Sequence, residues 1–340
     1  MGIRDLKRDW KIFDSLYERL LVVLLCLSGK LEMLLICLVD YQRYGAFCRA
    51  MQRVAQSSSI APILPRFSTL HLLRRPDPEI IEESDEAIPR EFIQFWNFTR
   101  LCVQRIRGCH EFRNDISWVN RLRELKIVSG VAAKELFHVC QLAVQLENLS
   151  LVITEGSTFP NGNPPIGEDL NCALTARATT LKVLELRLCG HTSYKHQFGQ
   201  SKHLACLVKL EKLEQLTIDI PLVFGFEFDH EPPTLSKFPR HLVSLNLVDG
   251  WWPSLTPYLS LRTSGRKERR FVEALLNLFA SQSCAKFPKL RLNQLCYIQR
   301  AEDPCLSSNK LDGIKASFNQ NRLSFSYKKD TLAGLHHIEE

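Results

Sequence analysis

The chain has 340 residues, 45% hydrophobic and 24% charged, with a formal charge of +7 and 12 cysteines. Such a composition excludes global disorder and allows a full hydrophobic core. The charge is too mild for a dedicated nucleic-acid binder, and the absence of any C-x-x-C pair removes the usual zinc-ribbon and thiol-exchange signatures.

Residues 1–60 read as an N-terminal helical or degenerate-repeat region. Its apolar run LLVVLLCLSG (20–29) breaks at Ser28, well short of the roughly 20 residues that cross a bilayer. Asp5, Asp9, Asp14 and Glu18 precede it among the basic residues, unlike the start of a secretion signal. A buried helix or repeat segment is the expectation. LEMLLI (Leu31, Leu34, Ile36) and FSTLHL (Phe67, Leu70, Leu72) then introduce apolar residues spaced by three and by two. RRPDPEIIEESDEAIPR (74–90) is acidic and proline-bearing, as a solvated insertion would be. FIQFWNFTRLCVQRIRG (92–108) is apolar and aromatic and fits helix or strand equally.

From residue 122 the pattern repeats. LRELKI (Leu122, Leu125, Ile127) is followed by LENLSL (Leu146, Leu149, Leu151) and LKVLEL (Leu181, Leu184, Leu186). LEQLTI (Leu213, Leu216, Ile218), LVSLNL (Leu242, Leu245, Leu247) and FPKLRL (Phe287, Leu290, Leu292) continue it. The frame is L-x-x-L-x-L. Its last two apolar residues lie two apart and so share one face of a short strand, while the first enters the core from the preceding turn. Between hexamers, VAAKELFHVCQLAV (131–144) sets Leu136, Val139, Cys140 and Ala143 at helical spacing. KERRFVEALLNLFASQ (267–282) does the same with Phe271, Leu275, Leu278 and Phe279.

This alternation predicts an α/β chain of irregular leucine-rich-repeat type: a curved parallel sheet on the concave side, helices and loops on the convex side. The array is expected over 61–330, with 331–340 as a tail. First positions at 122, 146, 181, 213, 242 and 287 give steps of 24, 35, 32, 29 and 45 residues. Regular repeats recur every ~20–29 residues, so insertions are expected. The stretches at 155–169 and 229–240, rich in Pro, Gly, Asn and Asp, supply the turn chemistry for two of them, and 74–90 a third.

The phrases LKVLELRLCGH, FGQSKHLACLVKLEKLEQLTIDIPLVFGF and PPTLSKFPRHLVSLNLVDGWWP, in that order, resemble the leucine-rich-repeat regions of filamentous-fungal F-box-like proteins. The likeness is best over about residues 120–295. It implies a non-enzymatic role in which the repeats choose a substrate for a cullin-type ubiquitin ligase, with an N-terminal F-box docking on the adaptor subunit. The L-P-x-E-[LI] phrase that usually opens an F-box is absent from residues 1–60, which read as a start inside the array.

On the expected concave face, the intervening positions are Glu124, Lys126, Asn148, Ser150, Val183, Glu185, Arg187, Gln215, Thr217, Asp219, Ser244 and Asn246, then Lys289, Arg291 and Asn293. Their mixed polar character suits a protein partner better than a nucleic acid, which would select a uniformly basic groove with stacking aromatics. Trp251 and Trp252 follow a predicted strand and form a rim hot-spot candidate. No P-loop, G-x-G-x-x-G, G-x-S-x-G or H-E-x-x-H is present. Cys189, His191 and His196 lack a fourth ligand in register, and Asp229, His230 and Glu231 lack a nucleophile. Both groups are read as ordinary loops. The basic run RTSGRKERR (262–270) is read as a solvated turn ahead of a helix. No catalytic residue, metal, cofactor or membrane contact is therefore expected, and scattered cysteines fit the cytosol or nucleus; the alternative readings are a degenerate or truncated repeat protein without a specific partner, and an enzyme with an unrecognised site.

Overall fold

The computed structural model describes residues 20, 32–38, 69–74, 100–106, 119–131, 133–153, 167–188, 204–224, 233–249, 261–297, 308–321 and 323–329. Among them, ten strands form one sheet whose spatial order is the chain order. They are β1 (Met33–Leu38), β2 (Thr69–Arg74), β3 (Arg100–Ile106), β4 (Glu124–Val131), β5 (Asn148–Ile153), β6 (Val183–Leu188), β7 (Gln215–Asp219), β8 (Ser244–Asp249), β9 (Leu292–Tyr297) and β10 (Ser324–Lys329). Every neighbouring pair is parallel. Parallel neighbours cannot be joined by a hairpin, so each strand must be followed by a crossover.

The crossovers carry a second layer. It comprises α1 (Ala133–Leu142), α2 (Gly167–Thr175), a 3-10 turn at Ala205–Lys209, α3 (Ile220–Phe224), a 3-10 turn at Leu235–Lys237, α4 (Leu261–Lys286) and α5 (Ser308–Gln320). α1 touches α2, α2 touches the turn at Ala205–Lys209, that turn touches the one at Leu235–Lys237, and this touches α4, which touches α5. Both layers therefore advance in step along the chain, and each unit is supported by the units before and after it. The strand leucines and the helix faces form one continuous hydrophobic cluster between the layers.

Register explains why the leucines are spaced as they are. Leu125, Leu149, Leu184, Leu216 and Leu245 pair across β4–β8, and Ile127, Leu151, Leu186, Ile218 and Leu247 form a second row. All ten are at most 2% exposed, and the turn leucines Leu122, Leu146, Leu181, Leu213 and Leu242 are 0% exposed. The variable steps between units are reconciled at one backbone joint. Glu147 and Asn148 N–H donate to the Arg123 carbonyl, Lys182 and Val183 to Glu147, and Glu214 and Gln215 to Lys182. Val243 and Ser244 donate to Glu214, and Arg291 and Leu292 to Val243, all within 2.7–3.3 Å. The same joint closes whether the loop before it is short or long, so added length is taken up in the crossover.

The frame expected at 287–292 is shifted. Leu292 pairs with Ser244, Asn293 with Leu245 and Leu295 with Leu247, so this unit reads Leu290-x-x-Asn293-x-Leu295. Phe287 instead takes the place of Val119, Ala143 and Leu210, the buried residues three positions ahead of the turn leucines Leu122, Leu146 and Leu213. An apolar residue there, with an asparagine where the strand leucine belongs, makes the wrong frame look right.

Other segments also differ from expectation. The stretch 92–108, ambiguous in sequence, provides β3, with Leu101 opposite Leu125 and Val103 opposite Ile127. The basic run 262–270 lies inside α4, which begins at Leu261, rather than in a turn ahead of it. Within 155–169, Gly167, Glu168 and Asp169 already form the first turn of α2, where acidic side chains favour the positive helix end. Within 229–240, Thr234 caps a 3-10 turn and Leu235, Phe238 and Pro239 are buried, so this stretch contributes core. α5 and β10 extend the array beyond any repeat legible in the sequence. In the longest crossover between described strands, between β8 and β9, Phe279 of α4 lies 5.8 Å from Phe287 and packs 5.3 Å from Phe238 of the preceding crossover.

Candidate functional site

Opposite the leucine face, the alternate residues of each strand form two register rows. The first runs Glu124, Asn148, Val183, Gln215, Ser244, Leu292 and Ser324. The second runs Lys126, Ser150, Glu185, Thr217, Asn246, Gln294 and Ser326. On β1–β3 the same rows continue through Met33, Thr69 and Arg100, and through Leu35, His71 and Cys102. From β4 to β10 every one of these side chains is half-buried or exposed. The strand pleat alone produces this division, since a leucine at every second position commits the remaining positions to the opposite face.

The face is organised by cross-strand contacts. Ser150 Oγ donates to Glu185 Oε2 over 2.6 Å, joining register neighbours on β5 and β6. At the strand entrance, Lys182 Nζ donates to Glu147 Oε2 at 2.9 Å, and this hydrogen bond is the main cause holding the Glu147 carboxyl below its usual range. Both partners remain substantially open to solvent, so the pair orders the rim of the face more than it stabilises the fold.

Ten of the expected positions, Glu124, Lys126, Asn148, Ser150, Val183, Glu185, Gln215, Thr217, Ser244 and Asn246, fall in these rows, while half-buried Arg187 lies outside both, in register with Val152. Asp219 lies outside them too. It is 3% exposed at the end of β7, where the chain passes directly into the buried helix α3. Lys289 and Arg291 lie in the turn ahead of β9, with Arg291 Nη1 donating to the Pro288 carbonyl, and Asn293 is in the core. For Lys289, Arg291 and Asn293 the shifted frame is the reason, and it hides Leu292 and Gln294, which sequence reasoning missed; Ser324 and Ser326 were missed because no repeat was legible at β10. Counting back three residues from Leu290 to an apolar partner would have found the frame. Trp251, Trp252, Cys189, His191, His196, Asp229, His230 and Glu231 lie outside the described residues.

Among the described residues, no group of three or more His, Cys, Asp or Glu could hold a metal ion, and no helix is long and apolar enough to cross a membrane. Cys140 and Cys206 are buried free thiols, and burial pushes each up to about 12, outweighing the nearby cations Arg177 and Lys209. Only the thiolate attacks an electrophile. In the native chain at pH 8, iodoacetamide is therefore expected to modify exposed Cys172 while sparing Cys140 and Cys206, which should react only once urea unfolds the protein. Peptide mapping by mass spectrometry checks this, and native labelling of Cys140 would contradict its place in the core. Compared with protein-family models and with curated proteins, the chain finds no match.

Proposed function

We propose that the protein is a non-enzymatic, leucine-rich-repeat solenoid that binds another protein on its outward sheet face, in the cytosol or nucleus. The supporting observation is the pair of polar rows spanning seven register-matched strands, β4 to β10, backed by a continuous leucine spine. Such a surface is wide, rigid and chemically mixed, and complementary charge on it sets specificity and encounter rate. Stacked units that share one apolar seam are the arrangement expected of a solenoid, which supports this reading. The sharper form of the proposal follows the resemblance of the sequence to fungal F-box-like proteins: a substrate-recognition subunit of a cullin-type ubiquitin ligase.

Affinity purification of the chain followed by mass spectrometry tests both levels. Enrichment of an adaptor subunit and a cullin, lost on deleting residues 1–60, is the result expected of a ligase subunit. A partner retained by the native chain and lost from a Lys126→Glu, Glu185→Lys double variant with unchanged melting temperature supports the binding face alone. Partners indifferent to that double variant would remove the face from the proposal.

A further inference from the structure

Resting on that reading, we infer that the C-terminal half of the outward face holds the main chain of an extended, uncharged polypeptide segment. The two halves of the face differ in kind. β4–β6 present Glu124, Lys126 and Glu185 in their two rows. β7–β9 present Gln215, Ser244 and Leu292 in one row and Thr217, Asn246 and Gln294 in the other. Serines at both register positions of β10 extend this charge-free surface to a fourth strand.

Amides and hydroxyls both donate and accept, which is what a peptide main chain with alternating N–H and C=O groups requires. A charged ligand would instead lose its hydration here without gaining a counter-charge. Asn246 is half-buried on this face, and its Oδ1 has no hydrogen-bond partner among the described residues. Leu292, 36% exposed between Ser244 and Ser324 in the register, adds one apolar contact. Four strands about 4.8 Å apart span roughly 14 Å, the length of four or five extended residues. A glycan fits less well, because saccharides stack on aromatic rings and neither row carries one from β4 to β10; Phe325 is buried on the opposite face.

The test is selection of a displayed library of random peptides, each about a dozen residues and so roughly 40 Å when extended, against the full chain. Enriched peptides are expected to share an uncharged core of four or five residues. Their affinity should change less than about twofold between low and high salt, since no ion pair is screened. A Thr217→Lys, Gln294→Lys double variant should weaken binding at least about tenfold, while Lys315→Ala, exposed on α5 in the other layer, leaves it within about twofold. If the lysine pair lowers the melting temperature, Gln215→Glu with Gln294→Glu replaces it. A charged, salt-sensitive consensus, no enriched peptide, or binding to a glycan array instead would overturn the inference. Peptides that depend on Lys126 and Glu185 would overturn it while leaving the binding face intact, and peptides indifferent to substitutions in either half would remove both.

Discussion

Leu216→Ala is expected to lower the stability of the folded chain by about 2–5 kcal/mol, the range for a buried leucine truncated in a core that relaxes incompletely. Leu216 is 1% exposed and lies in register between Leu184 and Leu245. Two terms contribute. The lost methyl and methylene groups forfeit their transfer free energy, and the space they leave opens against both neighbouring units. The residue beside it provides the control, because Gln215 is exposed on the other face and its replacement by alanine should change stability by less than about 0.5 kcal/mol. Urea denaturation followed by circular dichroism compares the two. Stacked units stabilise one another mainly through their nearest neighbours, so hydrogen exchange should quicken most in β6–β8 and least in β4. Equal effects of the two substitutions would mean that the alternation of buried and outward residues is misassigned.

The parts of the fold that could be read from sequence are those where one apolar pattern does one job. Leu122, Leu125 and Ile127, and their counterparts to Leu247, were legible because turn and strand positions are filled by the same residue type in five successive units. α1 was legible from Leu136, Val139, Cys140 and Ala143, although its last member lies just past the helix end. Legibility failed where a position changed chemistry. Asn293 replaces a leucine and Phe287 supplies apolar character three residues too early, so the frame slipped and took Lys289 and Arg291 with it. Asp219 was placed by strand parity alone, which cannot register that the chain bends into α3 at the next residue. β3 has Val103 in register with Ile127, where β5 and β6 carry leucine, and its sequence sits among aromatics compatible with either secondary structure. The interaction face was legible as a set of residues. Its division into a charged half and an uncharged half was not, since that depends on Leu292 and Gln294 falling in register with Ser244 and Asn246.

Asn293→Leu is expected to stabilise the protein, by about 1–3 kcal/mol. Asn293 is 0% exposed, and neither Nδ2 nor Oδ1 has a hydrogen-bond partner among the described residues. It occupies the leucine row between Leu245 and Phe325. Burying an unpaired amide costs roughly 1–3 kcal/mol, because water that once satisfied it is gone and nothing replaces it. Leucine has the same number of side-chain heavy atoms, branched at the same carbon, so the substitution removes two polar atoms, and its bulkier methyls fill a row already lined by leucines. Asn293→Asp is the matching negative control: a carboxylate here would be charged without a counter-ion or would have to bind a proton, and the protein should lose stability more steeply as pH rises. Thermal and urea unfolding of the three proteins reads the order Leu above Asn above Asp. A leucine variant less stable than the native chain would mean that the amide is held by groups outside the described residues, and that this unit is joined to its neighbours by a polar contact in place of the leucine packing used in β4–β8.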